Sequence, residues 1–281
     1  DGYVYQKYNA VVNALFFGCL KVMEKIAIDL DELEDALLFK KYYKRVKVRY
    51  LKTFQDTNSG LINDGQDTDH KSQHANMFAL TFGLIPEQNI DQVVQYLMTR
   101  GMSCSVYGAQ ILLEGLFENG GSNHAINLMA SKKERSWYNM IRYGSTISME
   151  AWDKRYKPNL DLNHAWGASP ANIIVRKLMG VEPLDPGAQL IKIHPKIGNL
   201  SFAKLRTNLI SGEVIVSCEQ KQNEFTLEVE IPGGVKADII LPIDNSEQQV
   251  YKNGKVLDIK LEKNKLKLKE VLAGKHLFKI K

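Results

Sequence analysis

Apolar residues recur at helical spacing up to about residue 180, and at alternating spacing beyond it. Over residues 8–28, Val11, Ala14, Leu15, Val22 and Ile26 share one broad face. Over residues 31–55, Leu33, Leu37, Tyr42, Val46, Tyr50 and Phe54 form a second stripe. A period near 3.6 predicts two long amphipathic helices. Residues 56–69 (DTNSGLINDGQDTD) are rich in Asp, Asn and Gly and read as a loop. Helical patterns resume over 71–84, 88–100, 106–119 and 122–131, with a short one over 137–143. A longer one, over 165–179, is interrupted near Pro170. Gly83, Gly101, Gly120, Gly121, Gly144 and Gly180 stand at the joints, where glycine ends helices. The expectation is seven or eight helices in consecutive antiparallel hairpins.

The pattern changes at 181–188 (VEPLDPGA), where two prolines and a glycine mark a boundary. Period-two segments follow over 189–194, 202–209, 213–218, 224–231, 236–241, 248–251, 265–269 and 276–280. Turn pairs separate them: Gly198-Asn199, Ser211-Gly212, Gly233-Gly234 and Asn253-Gly254. The last is the strongest hairpin signal of the four. Short strands with regular turns predict an antiparallel β-sandwich. The expected organisation is a helical domain over residues 1–183 and a sandwich over 184–281.

Composition changes this picture little. The 281 residues are 44% hydrophobic and 25% charged, ordinary values for a globular chain. The net charge of +5 is spread over both signs, and the densest basic run is Lys40–Arg49. That run lies within a helical pattern and reads as a solvated face, with no nucleic-acid module beside it. Cys19, Cys104 and Cys218 are far apart and form no zinc-type cluster, so no structural zinc site is expected; no metal ligand and no cofactor is assigned, and metal dependence stays open. No apolar run is long enough to span a bilayer. The first residues, Asp1–Tyr8, show no leader pattern and read as a chain entering mid-domain.

Candidate chemistry gathers in Ser136–Trp152 (SWYNMIRYGSTISMEAW) and in the following Leu162–Gly167 (LNHAWG). The first packs Trp137, Tyr138, Tyr143, Glu150 and Trp152 closely together. Aromatic planes stack on the apolar faces of sugar rings, and fixed polar groups take their hydroxyls. A glycosidase also needs two carboxyl groups flanking the scissile bond. Residue by residue, alternatives remain. Glu150 between Met149 and Ala151 also suits a helix surface, His164 also suits a satisfied core histidine, and the tryptophans also suit packing.

Four stretches in order resemble the α-L-rhamnosidases that carry an (α/α)6 barrel: Asp69–Pro86 (DHKSQHANMFALTFGLIP), Ser136–Trp152, Leu162–Pro170 (LNHAWGASP) and Leu178–Pro195 (LMGVEPLDPGAQLIKIHP). The resemblance implies a partial (α/α)6 barrel followed by a C-terminal β-sandwich. It implies hydrolysis of terminal α-L-rhamnosyl linkages with inversion, on a rhamnose-containing glycan or glycoside, and a periplasmic or extracellular location. Glu150 matches the family's general base and His164 a histidine that hydrogen-bonds the sugar. Trp137 and Trp152 match pocket walls. His74, with Gln73, lies at the start of an inward-facing helix, where it either reaches the pocket or packs in the core. Met149 stands where the family has tryptophan, which implies loss of one aromatic wall. The family's general acid belongs to an earlier motif with no match here, so the chain resembles the second half of a barrel whose partner is the N-terminal half of the same protein. The rival readings are another (α/α)6 glycosidase or lyase, and a non-catalytic carbohydrate-binding protein.

Overall fold

The computed structural model describes residues 2–222, 224–243, 248–257 and 265–281. Asp1, the first residue of the Asp1–Tyr8 stretch, lies outside them. The chain divides into two compact units, Asp1–Ser169 and Pro170–Lys281.

Among the described residues seven helices build the first unit: α1 (Ala10–Asp29), α2 (Leu33–Phe54), α3 (Gln73–Phe82), α4 (Ile90–Arg100), α5 (Gly108–Glu118), α6 (Ser122–Met129) and α7 (Trp137–Arg142). Their starts follow from local chemistry. The side chains of Asn9, Ser72 and Ser136 accept hydrogen bonds from Val12, Ala75 and Asn139, satisfying N–H groups that a helix start leaves free. The helices pair as hairpins α1–α2, α3–α4 and α5–α6, while α1 packs on α3 and α3 on α5. This gives an inner row of α1, α3 and α5 backed by α2, α4 and α6. The inner row is held close by glycine. A Cβ on Gly18 would lie 2.6 Å from the Phe82 ring, and one on Gly115 would lie 2.5 Å from Thr81 Oγ1. Ala14, Met77, Leu80, Leu112 and Leu116 fill the space between these helices.

The apolar stripes are only partly buried, and one helical expectation changes. The stripe on α2 is buried only at its C-terminal end, at Tyr50 and Phe54, while Leu33 and Leu37 are 63% and 68% exposed. On α1, Leu15, Val22 and Ile26 are exposed as well. The 3.6 period marks a face that can be buried; α1 and α2 bury only the sides turned to each other and to α3. The long helix expected over 165–179 is broken into a 3-10 turn (Ala165–Ala168), an α-helical turn α8 (Ser169–Ile173) and a π-helical turn (Ile174–Leu178). Pro170 has no N–H to give an earlier carbonyl, and Met179 N–H bonds five residues back to Ile174 at 2.9 Å. On α2, Lys40, Lys41, Lys44, Arg45 and Arg49 are exposed, as a solvated basic face requires.

Among the described residues the second unit carries ten strands: β1 (Val181–Pro183), β2 (Leu190–Ile193), β3 (Phe202–Leu209), β4 (Gly212–Lys221), β5 (Glu224–Ile231), β6 (Lys236–Pro242), β7 (Val250–Lys252), β8 (Lys255–Val256), β9 (Lys265–Val271) and β10 (Gly274–Ile280). They form a sheet of order β1-β2-β6-β9 and another of order β3-β4-β5-β10-β7-β8. Alternation buries Val214, Val216 and Cys218 of β4 and Ile191 and Ile193 of β2, so each sheet turns an apolar face inward. Asn253-Gly254 makes the β7–β8 hairpin, with φ of 51° and 80°, as a type I′ turn demands. Among the described residues one pairing, β2 with β6, is parallel. Parallel neighbours need a crossover, and β3–β5 supply it by running through the other sheet. Among the described residues no helix is long and apolar enough to cross a membrane.

Candidate functional site

After α7 the chain doubles back on itself. The His164 N–H donates to Ser148 O at 2.8 Å, and the Glu150 N–H donates to Asp161 O at 3.0 Å. Ser148 Oγ donates to His164 O at 2.9 Å. These bonds hold residues 148–150 alongside 161–164. Asp153 ties the loop to α7: its buried carboxylate accepts from Arg155 N at 3.0 Å, Arg155 Nη2 at 2.8 Å and Tyr143 OH at 3.3 Å. The bond from Arg155 holds the Asp153 carboxyl well below the usual carboxylate range. Asn139 Nδ2 donates to Trp152 O at 3.1 Å.

The loop closes one wall of a cavity of about 550 Å³, a size suited to a sugar unit. Glu150 and Lys157 line it beside Trp152, Trp166, Tyr107 and His74. Glu150 is the sole carboxylate among its lining residues, and its side chain is 10% exposed. One of its oxygens accepts from the Lys157 ammonium, and the other accepts from Asp161 N–H at 3.1 Å. The Lys157 bond, more than the Asp161 bond or the nearby His164, lowers the Glu150 pKa, so the carboxylate is ionised at neutral pH.

Of the residues the sequence singles out, Glu150, Trp152 and His74 line the cavity; Trp137 and His164 do not. Trp137 backs Trp152 edge-to-face, with ring centroids 4.9 Å apart, and its indole N–H donates to Gly167 O at 2.7 Å. Trp152 is itself buried, donating to Cys104 O at 2.7 Å. His164 stacks on Trp166 at 4.0 Å with the rings 16° apart. Burial pushes the His74 pKa down, leaving a neutral imidazole at the cavity wall. Gln73 is buried and donates to Gly101 O at 2.6 Å. Met149 is fully buried and forms no part of the cavity wall. The open aromatic surface comes instead from Trp166, 42% exposed, and Tyr107, with ring centroids 5.2 Å apart.

Trp166, Tyr107 and Lys157 are among the lining residues that the sequence reading did not single out. Trp166 lies within LNHAWG, so an aromatic in a quoted motif was the available signal. Lys157 sits in a non-periodic loop and carries no such mark. Among the described residues one group has metal-ligand spacing: atoms of Glu150, Asp161 and His164 lie within 4.8 Å of one another. Both Glu150 oxygens already accept hydrogen bonds there. Cys104 and Cys218 are buried thiols pushed up to about 12, which leaves them unreactive at neutral pH.

A carboxylate held ionised in an aromatic-walled cavity can draw a proton from water. Asp161 does not line the cavity. A second carboxyl acting across a bound sugar is therefore not among the lining residues.

Comparison with known proteins gives a consistent picture. The family model described as bacterial alpha-L-rhamnosidase 6 hairpin glycosidase domain matches residues 1–178, and that of the bacterial alpha-L-rhamnosidase C-terminal domain matches 180–255. An alpha-L-rhamnosidase of Formosa agariphila is 29% identical over 93% of this chain, which spans 30% of that relative. One from Alteromonas sp. (strain LOR) is 24% identical over 84% of the chain and 26% of its own length. The fold matches the alpha-L-rhamnosidase of Dictyoglumus thermophilum (TM-score 0.80, 21% identity, 95% of this chain and 31% of that one). It also matches that of Streptomyces avermitilis complexed with L-rhamnose (TM-score 0.78, 21% identity, 100% of this chain and 28% of that one).

Proposed function

The chain belongs to the bacterial α-L-rhamnosidase family of six-hairpin glycosidases, and from that premise we propose that it forms part of an enzyme hydrolysing terminal α-L-rhamnosyl linkages with inversion. The observation that carries this reading is the Glu150 carboxylate, held ionised at the wall of an aromatic cavity. Glu150 is the general base. It takes a proton from a water on one face of the sugar, and that water attacks the anomeric carbon as the leaving oxygen is protonated from the other side. In such a pair the carboxyl groups stand ~6.5–9.5 Å apart to leave room for the water.

The acid is supplied by the rest of the barrel. The chain spans about 30% of the first curated relative, and among the described residues no other carboxylate lines the cavity. The same missing part covers the exposed apolar residues of α1 and α2. Trp166 and Tyr107 offer the sugar an exposed aromatic face, and the tryptophan pair Trp137–Trp152 stiffens the wall behind it. His164 positions Trp166 by stacking on it.

The test is an assay of the complete enzyme on an aryl α-L-rhamnoside, with the released sugar followed by NMR. Inversion gives the β-anomer first. An α-anomer first would overturn the mechanism. Absence of hydrolysis, with binding of rhamnosides retained, would favour a carbohydrate-binding protein instead.

A further inference from the structure

Glu150 uses only part of what Lys157 offers. Around Lys157 the chain turns twice: the Tyr156 N–H donates to Asp153 O at 3.0 Å, and the Leu160 N–H donates to Lys157 O at 3.1 Å. Asp153 is tied down through Arg155 and Asn139, and Leu160 is buried, so the backbone on both sides of Lys157 is fixed. From there the half-buried side chain lines the cavity and its ammonium reaches Glu150. An ammonium carries three N–H donors and no acceptor. Among the described residues Glu150 is the one hydrogen-bond partner of that ammonium, which leaves two donors for whatever fills the cavity.

The stereochemistry of the substrate says what those donors meet. In an α-linked rhamnoside the C2 hydroxyl is trans to the leaving oxygen on C1. Inversion brings water to C1 from the face opposite that oxygen. That is the face carrying the C2 hydroxyl. Glu150 holds the water on this face, and the Lys157 ammonium stands one hydrogen bond from Glu150.

We propose that Lys157 contacts the substrate itself, donating to the C2 hydroxyl of the rhamnosyl unit while it holds Glu150. The proposal rests on the inverting-rhamnosidase reading for the face of the sugar that meets Glu150. The contact ties the orientation of the ring to the position of the base, so one side chain sets both. It also makes the configuration at C2 a point of specificity, since a sugar without that hydroxyl leaves the donors unmatched. The contact is made in the bound ground state, so its loss falls on KM more than on kcat.

The experiment measures kcat/KM of the complete enzyme on 4-nitrophenyl α-L-rhamnoside and on its 2-deoxy and 3-deoxy analogues, for the parent and for Lys157→Met, each at its own pH optimum. The parent's preference for the rhamnoside over the 2-deoxy analogue exceeds that of the variant by about tenfold or more, the size of a hydrogen bond from a charged donor. The intrinsic reactivity of the 2-deoxy sugar cancels in this comparison, and working at each optimum removes any effect through the Glu150 pKa. Both enzymes discriminate equally against the 3-deoxy analogue, and Lys157→Arg keeps the parent's preference. An equal 2-deoxy preference in parent and variant overturns the proposal, as does a matching change against the 3-deoxy analogue, which marks a general distortion of the cavity. Lys157→Gln replaces the Met variant if circular dichroism shows the latter unfolded. A parent that hydrolyses no rhamnoside sinks the catalytic reading separately, and calorimetric titration with L-rhamnose and its 2-deoxy analogue then reads the contact directly.

Discussion

The Lys157 ammonium donates to one oxygen of Glu150, while the Asp161 N–H donates to the other at 3.1 Å. Both contacts favour the ionised carboxylate, and the Lys157 bond is the larger cause of its lowered pKa. A group whose pKa is held down stays an effective proton acceptor to lower pH. Replacing Lys157 by Met should therefore raise the Glu150 pKa and move the acidic limb of the kcat/KM profile to higher pH in the complete enzyme. Lys157→Arg should restore the limb. A Met variant with an unmoved limb would show that Lys157 does not tune the base.

Asp64 is fully buried in the loop before α3. It accepts from Val4 N at 2.8 Å, Ser72 N at 2.8 Å and His70 Nδ1 at 2.6 Å. Asp64→Ala leaves those donors without a partner, at a cost of about 2–5 kcal/mol. Thermal unfolding followed by circular dichroism should show a loss of several degrees in Tm. A shift under one degree would mean the network contributes little.

Acid should loosen this loop region in a defined window. Asp56 accepts from Ser59 Oγ at 2.7 Å, Asn58 N at 3.0 Å and Lys71 Nζ at 3.1 Å, and the Ser59 bond foremost lowers its pKa to about 2. Unfolded, it titrates near ~3.9. Its contribution is thus full above the unfolded value and lost as pH falls toward 2. Urea titrations at pH 5, 3 and 2 should show a shallower decline for Asp56→Asn than for the parent. Parallel declines would remove Asp56 from the account.

Leu37 is 68% exposed on α2, with Val12 and Phe16 exposed on α1. Exposed apolar faces of this kind favour association. In the isolated chain, Leu37→Lys should reduce self-association seen by light scattering while changing stability by less than ~0.5 kcal/mol. In the complete enzyme, where the proposed remainder of the barrel covers this face, the same change should destabilise by about 2 kcal/mol, the cost of charging a buried leucine site. Equal effects in both would argue against that cover.

These residues also show what could be read from the sequence and what could not. Gly83 ends α3 as a stop should, and Asn253-Gly254 sets its hairpin, because the cause of each lies within a few residues. Glu150, Trp152 and His74 carried motif signals and share one cavity. Periodicity marked the α2 stripe but not which half of it is covered, since it reports a face and not its neighbour. The parallel β2–β6 pairing was equally hidden, because it depends on a crossover more than forty residues long. Lys157 and Trp166 reach the site through loop geometry that no period encodes. Met149, read as the loss of one aromatic wall, is buried and lines no part of the cavity.

The central claim is that Glu150 activates the attacking water. The most direct measurement is kcat/KM of the complete enzyme on an aryl α-L-rhamnoside, parent against Glu150→Gln. Glutamine keeps the shape and removes the proton acceptor, so the rate should fall by about 10²–10⁴-fold. Azide, an anion that needs no base to deprotonate it, should return part of the lost turnover. A Glu150→Gln enzyme that hydrolyses the rhamnoside at the parent rate would contradict the account.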